Sequence, residues 1–141
     1  MNKIILASHG GMSAGVKDTI QMVLGDLPNL YAIATTRDET ESVAEAARRL
    51  LDSFDASDNV YILTDVLGGS VNNDMMTLLG DYPDLVIICG MNLSLVLALA
   101  LTNGPISSEE LNGLIGQARE QIVNCTEMLR SAAQEEEEDI L

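Results

Sequence analysis

The sequence predicts an α/β protein built on a doubly wound parallel sheet of four strands, in the order 2-1-3-4, flanked by helices. Three observations predict it. Four short β-type runs, residues 3–8, 30–35, 60–64 and 85–89, are separated by stretches of helical periodicity. Runs such as Val60-Tyr61-Ile62-Leu63 and Leu85-Val86-Ile87-Ile88 are apolar without alternation, as suits strands covered on both faces. The β-α-β-α-β-α-β order implies right-handed crossovers, and so a parallel sheet.

Each element has its own signal. After the first run, Val16, Ile20, Val23 and Leu24 recur at i, i+4, i+7 and i+8, and Gly25 stands as a C-terminal stop. After the second, Val43, Ala46, Ala47, Leu50, Leu51 and Phe54 share one helical face, with Ser42 and Glu45 spaced as a capping box. A shorter helix over about 71–79 follows the third run and ends at Gly80. Residues 93–101 are apolar on nearly every side. A helix of that kind has to be covered all round, which points to a subunit interface. Asn103-Gly104-Pro105 breaks the chain, Ser107 and Glu110 offer a second capping box, and Leu111, Leu114, Ile115 and Ala118 mark another amphipathic helix. Residues 122–126 fit either a prolonged helix or a late edge strand.

The 141 residues suit one domain, expected over 1–133, with an acidic and disordered tail over 134–141. Twenty-two acidic residues face seven basic ones, a net charge of −15, and aromatics make up 3% with no Trp. That balance excludes a nucleic-acid partner: neither phosphate-neutralising charge nor a base-stacking platform is present. The longest apolar stretch, nine residues, falls short of the roughly 20 that a spanning helix needs, and the N-terminus has no secretory pattern. Cys89 and Cys125 stand far apart with no CxxC pair and no second histidine. They read as two reduced, buried thiols in a cytoplasmic protein, with no metal site and no cofactor.

In doubly wound sheets ligands bind beyond the carboxyl ends of the strands, where strand order reverses. Here those ends carry Ser8-His9-Gly10-Gly11-Met12-Ser13, Asp65-Val66-Leu67-Gly68-Gly69-Ser70 and Gly90-Met91-Asn92. With strands one and three adjacent, His9 and Asp65 face each other across one crevice. His9 is the only histidine, and a lone histidine is more often structural. Its place at a strand end, before two glycines and opposite a carboxylate, favours function instead. An aspartate on one ring nitrogen fixes the tautomer and leaves the other as nucleophile or base. Asp65 has a competing reading as a turn or cap residue, although Ser70 is the more natural cap. Gly68-Gly69-Ser70 and Gly10-Gly11-Met12-Ser13 each precede a helix and offer backbone N–H groups and a hydroxyl. Two such cradles converging on one imidazole suit phosphoryl transfer. Arg37, after the second strand, reads as a solvated loop residue near the site rim.

These motifs resemble the enzyme IIA domain of the mannose/fructose/sorbose family of the bacterial phosphoenolpyruvate-dependent sugar phosphotransferase system. Ser8-His9-Gly10, Asp65-x-x-Gly68-Gly69-Ser70 and Gly90-Met91-Asn92-Leu93 carry the resemblance, which extends to about Leu129. It implies that His9 is a transient phosphoryl carrier, charged by the histidine-containing phosphocarrier protein and discharged to a cognate enzyme IIB for sugar uptake. Asp65 would accept a hydrogen bond from His9, and Ser70 would hold the phosphoryl group. The resemblance further implies a homodimer with an exchanged antiparallel strand, for which 122–126 is the candidate, and an indirect association with membrane enzyme IIC and IID components. Leu67 and Ser94 depart from the family pattern, which often has an aromatic and a proline there. The implied donor is expected to present a basic surface to this acidic body.

Four alternatives use the same residues. A regulatory phosphohistidine module or a dihydroxyacetone-kinase phosphotransferase subunit would keep this fold, the latter with a different small-residue pattern after Asp65. A receiver domain phosphorylated on Asp65 wants magnesium-binding acids at the first strand end and a nearby lysine. That end carries His9, and the only lysines are Lys3 and Lys17. A His-Asp-Ser hydrolase shares the residue types.

Overall fold

The computed structural model describes residues 1–35 and 40–140, so Arg37 lies outside the described residues. Strands β1 (Asn2–Ser8), β2 (Leu30–Ala34), β3 (Asn59–Thr64) and β4 (Val86–Cys89) alternate with helices α1 (Met12–Leu24), α2 (Val43–Ser53) and α3 (Ser70–Thr77). A 3₁₀ turn, Leu78–Gly80, completes α3, and α4 (Leu93–Leu101), α5 (Ser108–Arg119) and α6 (Cys125–Ile140) follow. The sheet is parallel in the predicted order β2-β1-β3-β4. In register, Ile4 lies beside Leu30 on one side and Tyr61 on the other.

Successive strand residues point to opposite faces, and β1 shows why its run has no polar interruption. Ile4 and Leu6 enter a core with Ile20 of α1, Leu95, Val96 and Leu99 of α4, and Ala118 of α5. Ile5 and Ala7 enter a second core with Ala46, Ala47 and Leu51 of α2 and Val71 and Met75 of α3. The helices after β1 and β3 therefore cover opposite faces, and a crevice opens between the C-terminal ends of these two adjacent strands.

The Ser42–Glu45 capping box forms with both reciprocal bonds. At α5 the cap is partial: Ser107 Oγ accepts the Glu110 N–H, and its own proton goes to the Glu110 carboxylate. The covering that α4 was expected to draw from a subunit interface comes mostly from α1, β1 and α5 of the same chain. Leu93 and Leu101, at its two ends, stay exposed.

Three expectations at the C-terminus are corrected. Residues 122–124 form neither helix nor strand within this chain, and α6 begins at Cys125. The acidic stretch from 134, expected to be disordered, continues α6 to Ile140, because Ala, Gln and Glu are strong helix formers. The two thiols are not both buried: Cys89 is half-buried at the end of β4, and Cys125 is exposed at the start of α6.

Candidate functional site

His9 follows the last residue of β1, and Asp65 follows the last residue of β3. Because the two strands pair in parallel, with Ala7 beside Thr64, the next residues in each chain direction meet above the sheet. Asp65 Oδ2 accepts the His9 backbone N–H at 2.8 Å and approaches the ring Nδ1 at 2.7 Å. Its Oδ1 accepts the Val66 N–H at 3.0 Å. Burial pushes the Asp65 carboxyl up, but the bonds from the His9 backbone, the imidazole and the Val66 N–H outweigh it and hold the group below the ordinary carboxylate value. An ionised carboxylate only accepts, so Nδ1 carries the proton and Nε2 keeps its lone pair.

On the other side of the ring, Ser70 Oγ lies 2.9 Å from Nε2. With the tautomer fixed by Asp65, the hydroxyl donates. Ser70 is the first residue of α3, whose N-cap is Gly69, so the sequence expectation that Ser70 caps the helix is corrected: its side chain is turned to the imidazole. Gly69 is small for a reason. A Cβ there would sit 3.5 Å from His9 Cε1 and 3.2 Å from the Val66 carbonyl. Gly68 takes φ +78°, a conformation that turns the loop back toward the ring.

The first loop contributes less than predicted. Gly10, at φ +57°, spends its N–H on Thr35 Oγ1 at 2.9 Å, and Gly11 is the N-cap of α1. Ser13 is corrected: it is fully buried, its N–H donates to Ser8 Oγ and its hydroxyl to the Ile33 carbonyl. Ser13 therefore ties α1 to β1 and β2 and cannot touch a ligand at the ring. Although Gly11-Met12-Ser13-Ala14-Gly15 has the spacing of a hydrolase nucleophile elbow, burial of the hydroxyl rules out Ser13 as its nucleophile.

The sequence reading missed Thr35 as a part of the site. It was placed only at the end of the second strand, and its contact with Gly10 depends on β1–β2 register. Exposure divides the site sharply: the His9 side chain is 54% exposed and the Asp65 side chain 6%. On the segments that follow His9 and Asp65 in the chain, Met12, Val66 and Leu67 present exposed apolar side chains, Leu67 at 79%. The N-termini of α1 and α3 both open onto this loop pair, where helix dipoles favour negative charge. Among the described residues no group of three or more His, Cys, Asp or Glu stands together as a metal site, and no helix is long and apolar enough to cross a membrane.

A strand-end imidazole thus stands between a carboxylate and a hydroxyl on a doubly wound α/β sheet, and the chain's sequence and fold place it among phosphotransferase-system IIA components. Residues 3–118 match the EIIA-man family, described as the PTS system fructose IIA component. Over their full lengths, the chain and a fructose-specific EIIA component of Bacillus subtilis (strain 168) are 25% identical across 146 positions. The mannose/sorbose-specific IIA subunit of Enterococcus faecalis superposes with a TM-score of 0.74 at 26% identity, covering 87% of this chain and 93% of that one. EIIA of Streptococcus agalactiae shares the fold, with a TM-score of 0.78 over 89% of this chain and 98% of its own at 24% identity. The chain belongs to the EIIA-man family of sugar phosphotransferase system components.

Proposed function

We propose that this protein carries a phosphoryl group on Nε2 of His9, taking it from the phosphohistidine of the phosphocarrier protein and passing it to a histidine of a cognate enzyme IIB. The observation that carries the reading is the His9 ring held between Asp65 and Ser70 with its outer side open.

In the loading step the Nε2 lone pair attacks phosphorus in line. The new N–P bond forms as the donor's N–P bond breaks, and the donor imidazole leaves with the electron pair. His9 keeps its Nδ1 proton throughout. The ring becomes cationic, and the ionised Asp65 beside Nδ1 stabilises it through a charge-assisted hydrogen bond. Ser70 Oγ–H, released from Nε2, turns to a phosphoryl oxygen, while the loop at Gly68 and Gly69 leaves that oxygen room. Discharge to enzyme IIB runs the same step in reverse with another imidazole as acceptor.

The exposed apolar side chains of Met12, Val66 and Leu67 on the site's two loop-to-helix segments favour a protein partner over a small substrate, because they would be desolvated by a docking face. Enzyme IIB and the phosphocarrier would use this face in turn, in the cytoplasm. The protein acts as a homodimer in this reading, with the irregular stretch 122–124 ahead of α6 pairing antiparallel with the partner's sheet. Support comes from the open edge of β4 and from exposed Ile122 and Val123.

Incubation with phosphoenolpyruvate, enzyme I and the phosphocarrier tests the carrier role. An acid-labile, base-stable label on the wild-type chain that vanishes in His9→Ala is the expected outcome. Label persisting in His9→Ala moves the acceptor elsewhere.

A further inference from the structure

Both partners of the His9 ring lie on one loop, Asp65 at its start and Ser70 at its end. The ring is rigid, so its two nitrogens are satisfied together only when these two side chains keep a fixed separation. Gly68 and Gly69 lie between them, and glycine gives that stretch the most backbone freedom of any residue. The separation must therefore be set at the base of the loop.

Two buried polar side chains stand at that base. Thr64, the last residue of β3, is fully buried, and Asn72, in the first turn of α3, is 6% exposed. Thr64 Oγ1 donates to Asn72 Oδ1 at 2.7 Å, closing the loop across eight residues. The Thr64 carbonyl meanwhile accepts the Met91 N–H at 2.9 Å, which anchors the strand end to the loop after β4. Their neighbours Leu63 and Val71 are buried and apolar, and an apolar pair would ordinarily fill such positions, since buried polar groups destabilise unless they are bonded. A bonded pair, in contrast, fixes one geometry.

We infer that Thr64 and Asn72 are a positioning pair for His9: their hydrogen bond sets the spacing between the Asp65 carboxylate and the Ser70 hydroxyl. The role in transfer rests on the phosphoryl-carrier reading, whereas the effect on the ring does not. Displacing a reacting group by about 1 Å is enough to cost up to about 100-fold in rate.

The test uses the full chain and four variants. Thr64→Val removes the donor at constant shape, and Thr64→Ser keeps it. Asn72→Ser shortens the acceptor from the helix side. The double variant Thr64→Val/Asn72→Leu removes both polar partners without leaving one orphaned, so its melting temperature should recover toward wild type. Transfer from the phosphocarrier should fall about 10-fold in Thr64→Val, Asn72→Ser and the double variant, and stay within about twofold in Thr64→Ser. The ¹⁵N resonance of His9 Nε2, recorded without phosphorylation, should move toward that of a free imidazole in the three slow variants only. Wild-type rate and an unmoved resonance in a folded variant lacking the bond overturn the inference. Absence of label on wild-type His9 defeats the carrier reading alone, since the resonance still reports on the pair.

Discussion

One carboxylate oxygen of Asp65 accepts two hydrogen bonds from His9, from the backbone N–H at 2.8 Å and from the ring Nδ1–H at 2.7 Å. The same atom thus holds the main chain of the residue and the orientation of its ring, while the second oxygen holds its own loop through Val66. Replacement by asparagine breaks this economy, because one of the two oxygens becomes an NH₂ that opposes an N–H donor. Asp65→Asn should fold and should slow phosphoryl transfer on the order of 100-fold, the scale on which orienting carboxylates act on histidines elsewhere. Single-turnover transfer rates check it.

The lowered pKa of Asp65 makes a claim about stability and pH. A carboxyl whose folded pKa lies below its unfolded value stabilises the fold above the unfolded value and loses that contribution as pH falls through the folded one. The stability gap between wild type and Asp65→Asn should therefore be widest at neutral pH and should close below about pH 4. Denaturant midpoints of both proteins at pH 7 and pH 3 provide the comparison.

Ser70 Oγ lies 2.9 Å from His9 Nε2, the nitrogen proposed to carry the phosphoryl group. Ser70→Ala should slow transfer about 10-fold, as loss of one bond to reacting groups does, with a melting temperature within a few degrees of wild type because the site is open to solvent. Thr substituted at the same position keeps a hydroxyl and should restore most of the rate.

Leu67 lies on the loop between Asp65 and Ser70, is 79% exposed and packs on little of its own chain. Leu67→Ala should leave stability within about 0.5 kcal/mol and accelerate dissociation of the phosphocarrier about 5- to 10-fold, as loss of an apolar interface anchor does. With a net charge of −15, association should slow as salt rises if the donor presents a basic surface. Stopped-flow association and dissociation rates at several salt concentrations separate the two contributions; a salt-independent association rate contradicts the second.

The sheet was legible in the sequence because burial on both faces forces unbroken apolar runs, and strand-end geometry follows from the parallel order alone. That logic alone brings His9 and Asp65 together. What it could not supply were contacts that depend on rotamer and register. Ser13 has the residue type of a phosphate ligand, but the turn at Gly10 directs it inward to the Ile33 carbonyl. Thr35 and the Thr64–Asn72 pair are joined to the site by contacts that no local pattern encodes. At the C-terminus, charge density argued for disorder, yet the same glutamates are good helix formers, and α6 extends through them.

In the proposed carrier role, Asp65 keeps a proton on Nδ1 and leaves Nε2 to attack phosphorus. Heteronuclear ¹⁵N–³¹P NMR of the ¹⁵N-histidine-labelled protein, phosphorylated through the phosphocarrier, reads this directly because His9 is the only histidine. Phosphorus coupled to Nε2 of His9 with a protonated Nδ1 is the expected result. Phosphorus coupled to Nδ1 would contradict it.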